Sequence, residues 1–166
     1  DTPREVFLQR AGLMRAAKRP AEAEEAVRRA ATAPAGDEAR TLYALALAEQ
    51  IAGHHPAAIA KFRALQALDP KHYWAYYGEG MSHGEQGRWA AARGCYTAAI
   101  ALWPTFPWAY LNRGLAANEL GDFDAAEADF TKVIETQPDF PDAFVGRALS
   151  RNGRRDFAGA LADLDR

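Results

Sequence analysis

The feature that most restricts what this chain can become is a repeat of 34 residues. Pro70, Pro104 and Pro138 recur at that interval, as do Gly53, Gly87 and Gly121. Ala58, Ala92, Ala126 and Ala160 keep the same phase, each followed four residues later by Phe62, Tyr96, Phe130 or Leu164. Several independent series in one register mean that a single structural unit is used repeatedly, so the unit sets the fold.

Within each period the spacing is helical. Tyr110, Gly114 and Ala117 fall on one helix face, and Ala126, Phe130 and Val133 do the same further on. Gly121 ends the first run and Asp122 is placed to cap the second. Pro138 stops the second helix, because it lacks an N–H and drives Gln137 out of the α region. Each unit is therefore predicted to be a helix–turn–helix. Small residues (Gly114, Ala126) mark where the helices cross closely, and large ones (Tyr110, Phe130) fill space.

This pattern resembles the tetratricopeptide repeat, W-x2-L-G-x2-Y…A-x3-F…P. The clearest copy runs from Pro107-Trp108-Ala109-Tyr110-Leu111-Asn112-Arg113-Gly114 through Pro138. The resemblance implies an all-α fold: an α-solenoid, a right-handed superhelix of about ten helices forming one domain over 1–166. The repeats are expected at 5–38, 39–72, 73–106, 107–140 and 141–166. The first is degenerate, held by Leu8, Gly12, Ala23, Val27 and Pro34, and the last is truncated. One repeat cannot bury its own apolar face, so the units must stack. Glu22, Glu24, Glu25, Arg28 and Arg29 give the first copy a polar outer cover. Phe157, Leu161 and Leu164 at the other end have no following helix. With a start at Asp1 and an end inside a helical run, this suggests an excerpt of a larger protein, or self-association through the C-terminal end.

The departures from the family pattern are informative. Glu49, His83, Ala117 and Arg151 replace the large aromatic late in the first helix. Glu79, Arg113 and Arg147 replace the Leu before the helical glycine position. Asp129 and Asp163 stand 16 residues after Arg113 and Arg147, whereas Lys61 and Cys95 follow Leu45 and Glu79. The two Arg–Asp pairs are expected to bridge helices, at about 1 kcal/mol each if partly buried.

The resemblance also implies that the first helices line a concave groove. Its positions carry Arg40, Tyr43, Ala44, Leu47 and Gln50; Trp74, Tyr77, Gly78, Met81 and Gly84; Trp108, Leu111, Asn112, Leu115 and Asn118; Asp142, Val145, Gly146, Leu149 and Asn152. The expected contacts are Arg40, Tyr43, Leu47, Trp74, Tyr77, Met81, Trp108, Asn112, Leu115 and Asn118. Aromatic and methionine side chains suit a binding surface because they bury large area at modest entropic cost. Ala44, Gly78 and Gly146 would let a ligand backbone approach, and Asn112 and Asn118 would pair with its amides. The same face also serves repeat stacking, so Trp74 and Trp108 have a second reading as inter-repeat core. A dicarboxylate clamp of the co-chaperone type needs Lys, Asn and Arg where this chain has Tyr43, Leu47, Trp74, Tyr77 and Gly78. Only Asn112 matches in kind, which argues against that ligand.

Charge and composition narrow the partner further. Twenty basic and 22 acidic side chains give a net charge of −2, which removes the usual electrostatic reason to propose nucleic acid or an anionic membrane. Eight acidic residues against Lys132 between Glu119 and Asp142 read as a solvated outer face and helix caps. The one cysteine, Cys95, cannot form an internal disulfide and is expected to be buried and inert. His54, His55, His72 and His83 show no metal-binding spacing, and no phosphate loop or nucleophile motif occurs. Neither enzyme activity, metal nor cofactor is expected.

The chain thus reads as a cytoplasmic protein–protein interaction scaffold that holds a peptide or protein segment. The alternative is a structural module that self-associates or docks within its own chain through the end helix or convex face. The last two repeats resemble those of bacterial signalling and scaffold proteins, which leaves a signalling role open.

Overall fold

The computed structural model describes residues 38–166 together with Ala21, Glu22, Glu25, Arg28 and Arg29. Those five residues are helical, with Glu25 paired to Arg28 and Arg29. The rest of the expected first repeat, including Leu8, Gly12, Ala23, Glu24, Val27 and Pro34, lies outside the described residues.

From residue 38 on, the described residues form eight helices: α1 (Glu38–Ile51), α2 (His55–Leu68), α3 (Tyr73–Gly84), α4 (Trp89–Leu102), α5 (Pro107–Glu119), α6 (Phe123–Thr136), α7 (Pro141–Gly153) and α8 (Phe157–Leu164). The class is all-α, as the 34-residue period requires. None of these helices is long and apolar enough to cross a membrane. The chain divides into two compact units, Asp1–Ser82 and His83–Arg166, with the boundary inside α3.

In the first unit α1 and α2 form a hairpin around Ala46, Ala58, Phe62, Leu65 and Ala75. In the second unit α5 pairs with α6 and α7 with α8, and α6 packs against α7 around Phe130 and Val133. Phe62 and Phe130 are fully buried. Burying each ring stabilises its unit by about 2–3 kcal/mol.

The turn inside each hairpin is built the same way four times. Gly53, Gly87 and Gly121 have φ of +69°, +68° and +75°, and Arg155 adopts +66° at the same position. Each closes its helix with a pair of backbone bonds, such as Gly121 N–H to Asn118 O at 2.9 Å and Asp122 N–H to Ala117 O at 2.9 Å. These bonds satisfy carbonyls that the helix end leaves orphaned. Asp122 then caps α6 by accepting from Ala125 N–H, and Asp156 caps α8 by accepting from Gly159 N–H. Between hairpins, Tyr76 and Tyr110 donate to the carbonyls of Pro70 and Pro104 at 3.2 and 3.0 Å. The prolines therefore end one helix and anchor the next.

Both expected Arg–Asp pairs form, each within one hairpin. Arg113 grips Asp129 with two bonds of 2.8 and 2.7 Å, and Arg147 grips Asp163 with two of 2.9 and 2.6 Å. Asp129 and Asp163 are buried, so the planar guanidinium fork satisfies both oxygens where water is scarce. Each arginine also donates to a threonine one helix earlier, Thr97 or Thr131. In the first unit the polarity inverts: buried Glu79 accepts from Arg63 and Gln66, both at 2.7 Å. Two of the other departures are also paired. Glu49 accepts from Lys61, and Arg151 bonds Glu127 and Asp163.

Candidate functional site

In each unit the candidate site is the face that its first helices present. Helical geometry sets which side chains reach it, because residues three and four apart share a side. In the first unit these are Arg40, Tyr43 and Leu47 on α1, and Trp74, Tyr77 and Met81 on α3. Arg40 is exposed, while Tyr43, Leu47 and Tyr77 are half-buried. Trp74 and Met81 are each 38% exposed. The Trp74 ring stands edge-on to Tyr73 and Tyr77, with centroids 5.1 and 5.9 Å away. Tyr43 packs on Phe62 and His72 at 6.5 and 5.3 Å. Burial pushes the Tyr43 phenol above its ordinary pKa, and burial with the nearby Tyr77 does the same to Tyr73. These phenols therefore stay neutral at any physiological pH.

In the second unit the face carries Trp108, Asn112, Leu115 and Asn118 on α5. Trp108 is 42% exposed and meets Phe140 edge-on at 4.9 Å, and Leu115 is 40% exposed. Asn112 is half-buried and Leu111 is buried in the core. On α7, Val145 and Leu149 are more open still, at 49% and 56%. Both indoles thus touch neighbouring rings and keep a large open surface.

Two expectations about this face are corrected by the packing. Gly78 and Gly146 are buried, and each faces an aromatic ring of the preceding repeat. A Cβ on Gly78 would overlap the Phe62 ring, and one on Gly146 would come within 2.5 Å of Phe130 Cε1. The glycines admit this chain's own phenylalanines and leave no room for a ligand backbone. Ala44 is buried as well. The Asn118 amide is also committed: Nδ2 donates to Gly146 O at 3.2 Å and Oδ1 accepts from Ser150 Oγ at 2.8 Å. Gln50 in the first unit does the same work, donating to Gly78 O at 3.0 Å and Ser82 Oγ at 2.9 Å. These amides tie successive first helices together.

Cys95 is half-buried, more open than expected, and carries no disulfide. His54 is exposed, with Nδ1 3.0 Å from Glu49 Oε2.

Comparison with known proteins bears on the fold. A family model described as tetratricopeptide repeat matches residues 77–139 and 111–166, together more than half of the chain. Among solved structures, a crystal structure of MamA is 24% identical, covers 92% of this chain and 88% of its own, and superposes with a TM-score of 0.78. A MamA structure spanning residue 41 to the end, from Desulfovibrio magneticus RS-1, is 18% identical over 98% of this chain and 91% of that one, with a TM-score of 0.79. TTC0263, a thermophilic TPR protein of Thermus thermophilus, is 22% identical over 96% and 87%, with a TM-score of 0.73. At these identities the likeness shows a common fold. No curated protein matches the sequence.

Proposed function

The chain belongs to the tetratricopeptide repeat family, and from that premise we propose that it is a non-catalytic scaffold holding a protein segment against its first helices. Proteins of this family are in general interaction scaffolds that bind proteins or peptides. The observation that carries the reading is the set of large apolar side chains left open on those helices: Trp74 and Met81 in one unit, Trp108, Leu115, Val145 and Leu149 in the other. Clustered exposed aromatic and aliphatic residues are the usual mark of a protein-binding surface. The fitting ligand is an extended or helical segment with apolar anchors. The Tyr43 phenol, half-buried beside the open surface, is a neutral hydrogen-bonding group. The mechanism is preorganisation: helices fixed by Arg–Asp pairs and amide ties lose little entropy on binding, so the segment alone must be ordered.

The experiment is affinity capture from native extract with the wild-type chain and a Trp74→Ala/Trp108→Ala variant. A polypeptide retained by the first and lost by the second, with helicity unchanged, supports the reading. Equal retention contradicts it.

A second reading, docking through the end helix, is favoured by a separate observation: Phe157, Leu161 and Leu164 are each about three-fifths exposed.

A further inference from the structure

Three positions of the 34-residue register face one another across a hairpin, and in three of the described hairpins they neutralise themselves. Leu45, Glu49 and Lys61 hold them first, with Lys61 Nζ 3.3 Å from Glu49 Oε1. Arg113, Ala117 and Asp129 hold them next, with Arg113 on Asp129 at 2.7 Å. Arg147, Arg151 and Asp163 come last, both guanidinium groups lying on one carboxylate at 2.6 and 2.9 Å. Each set supplies its own cation to its own carboxylate.

The hairpin of α3 and α4 departs from this. The same positions carry Glu79, His83 and Cys95, with no lysine or arginine among them. Glu79 and His83 lie one turn apart on one side of α3, and Cys95 stands on α4. A carboxylate oxygen, a ring nitrogen and the thiol sulfur all lie within 4.8 Å of one another. Glu79 and His83 are buried and Cys95 is half-buried, so the group is sheltered yet reachable. Spacing along the chain does not announce it, because the third member comes from the next helix.

Carboxylate oxygen, imidazole nitrogen and thiolate sulfur are the three donor types that zinc takes. With bonds of about 2.0–2.3 Å, tetrahedral donors stand roughly 3.5 Å apart, so these three need to draw together by roughly 1 Å. The support for the carboxylate is already in place. Glu79 accepts from Arg63 Nε on one oxygen and Gln66 Nε2 on the other, each at 2.7 Å. Outer hydrogen bonds of this kind orient a ligating carboxylate, and each oxygen keeps a second lone pair for a metal. Sulfur and nitrogen donors select against magnesium and calcium, which take oxygen alone.

We propose that Glu79, His83 and Cys95 form a zinc site, with Cys95 bound as thiolate and water in the fourth position. The ion supplies the positive charge that lysine or arginine supplies at these positions in the other described hairpins, and it joins α3 to α4. The site does not depend on the scaffold reading, since none of its three ligands belongs to the open apolar surface.

The probe is cobalt(II), because a bound thiolate gives it an intense near-ultraviolet charge-transfer band that zinc then bleaches. The full chain, stripped of metal with a chelator, is expected to develop that band to saturation at one ion per chain. Cys95→Ser should remove the band. It should also weaken zinc binding, read by competition with a chromophoric chelator, by at least about a hundredfold, since losing a ligand costs more than losing a group that orients one. Zinc should raise the melting temperature of the wild-type chain and not that of the Cys95→Ser chain. His54→Ala, which removes an exposed histidine elsewhere, should leave both the band and the zinc affinity unchanged. A wild-type chain that shows no charge-transfer band with cobalt overturns the proposal without recourse to any variant. Unchanged zinc affinity in the Cys95→Ser chain, or an equal loss in the His54→Ala chain, overturns it as well.

Discussion

The Phe130 ring occupies the space where Gly146 would carry a Cβ, and a Cβ on Gly114, in the ring's own hairpin, would come within 3.0 Å of it. The close approach of α6 and α7 depends on that missing methyl. Gly146→Ala is expected to lower stability by about 1–2 kcal/mol, overpacking outweighing the better helix propensity of alanine. Gly94 on α4 has nothing within 4 Å of its Cβ position. Gly94→Ala should therefore raise stability by about 0.5–1 kcal/mol. Thermal or urea unfolding of the two variants distinguishes these opposite signs.

Arg155 holds φ +66° where the three earlier turns have glycine. A side chain in that region is strained against its own backbone. Arg155→Gly should stabilise the chain by about 0.5–1 kcal/mol, the relief being partly offset by the greater freedom of unfolded glycine. A fall in the urea midpoint would show the strain to be absorbed elsewhere.

Asp129 is buried and takes both of its bonds from Arg113. Asp129→Ala leaves a half-buried guanidinium without its partner and should cost about 3 kcal/mol. The pair of Arg154 with Asp124, whose carboxylate is 82% exposed, is screened by water. Asp124→Ala should change stability by less than about 0.5 kcal/mol. Equal effects in denaturant titrations would contradict the role assigned to burial.

Burial raises the Glu49 carboxyl, but hydrogen bonds from His54 and Lys61 outweigh it and hold the group below its ordinary range. A depressed folded-state value adds stability above the unfolded pKa and loses it as the pH falls through the folded one. Stability measured from pH 7 downward should therefore decline through the acid carboxylate range. Glu49→Gln should flatten part of that decline, and an unchanged slope would contradict the assignment.

Much of this was legible in the sequence because the repeat reports each position several times. The hairpins, their turns, the Asp122 cap and the Arg–Asp bridges follow from spacing alone. Gly78 and Gly146 were misjudged because a glycine announces free space without naming what fills it. The missing signal was Phe62 and Phe130, each 16 residues earlier, where Asn112 is preceded at that distance by Tyr96. Asn118 was assigned to a ligand because its tie to Ser150 spans 32 residues, too far for helical periodicity to connect. The Arg63–Glu79 bond escaped for a related reason. It inverts the polarity of the Arg–Asp pairs and joins a second helix to the following first helix.

The most direct test of the scaffold reading is a side-chain footprint of the chain with and without its captured partner. Oxidative labelling read by mass spectrometry reports on Trp74, Met81 and Trp108, and on Trp103 and Phe157, which lie off the first helices and serve as references. The account predicts protection of Trp74, Met81 and Trp108 on binding, with Trp103 and Phe157 unchanged. Protection confined to Trp103 or Phe157, with the first-helix residues labelled as before, would contradict it.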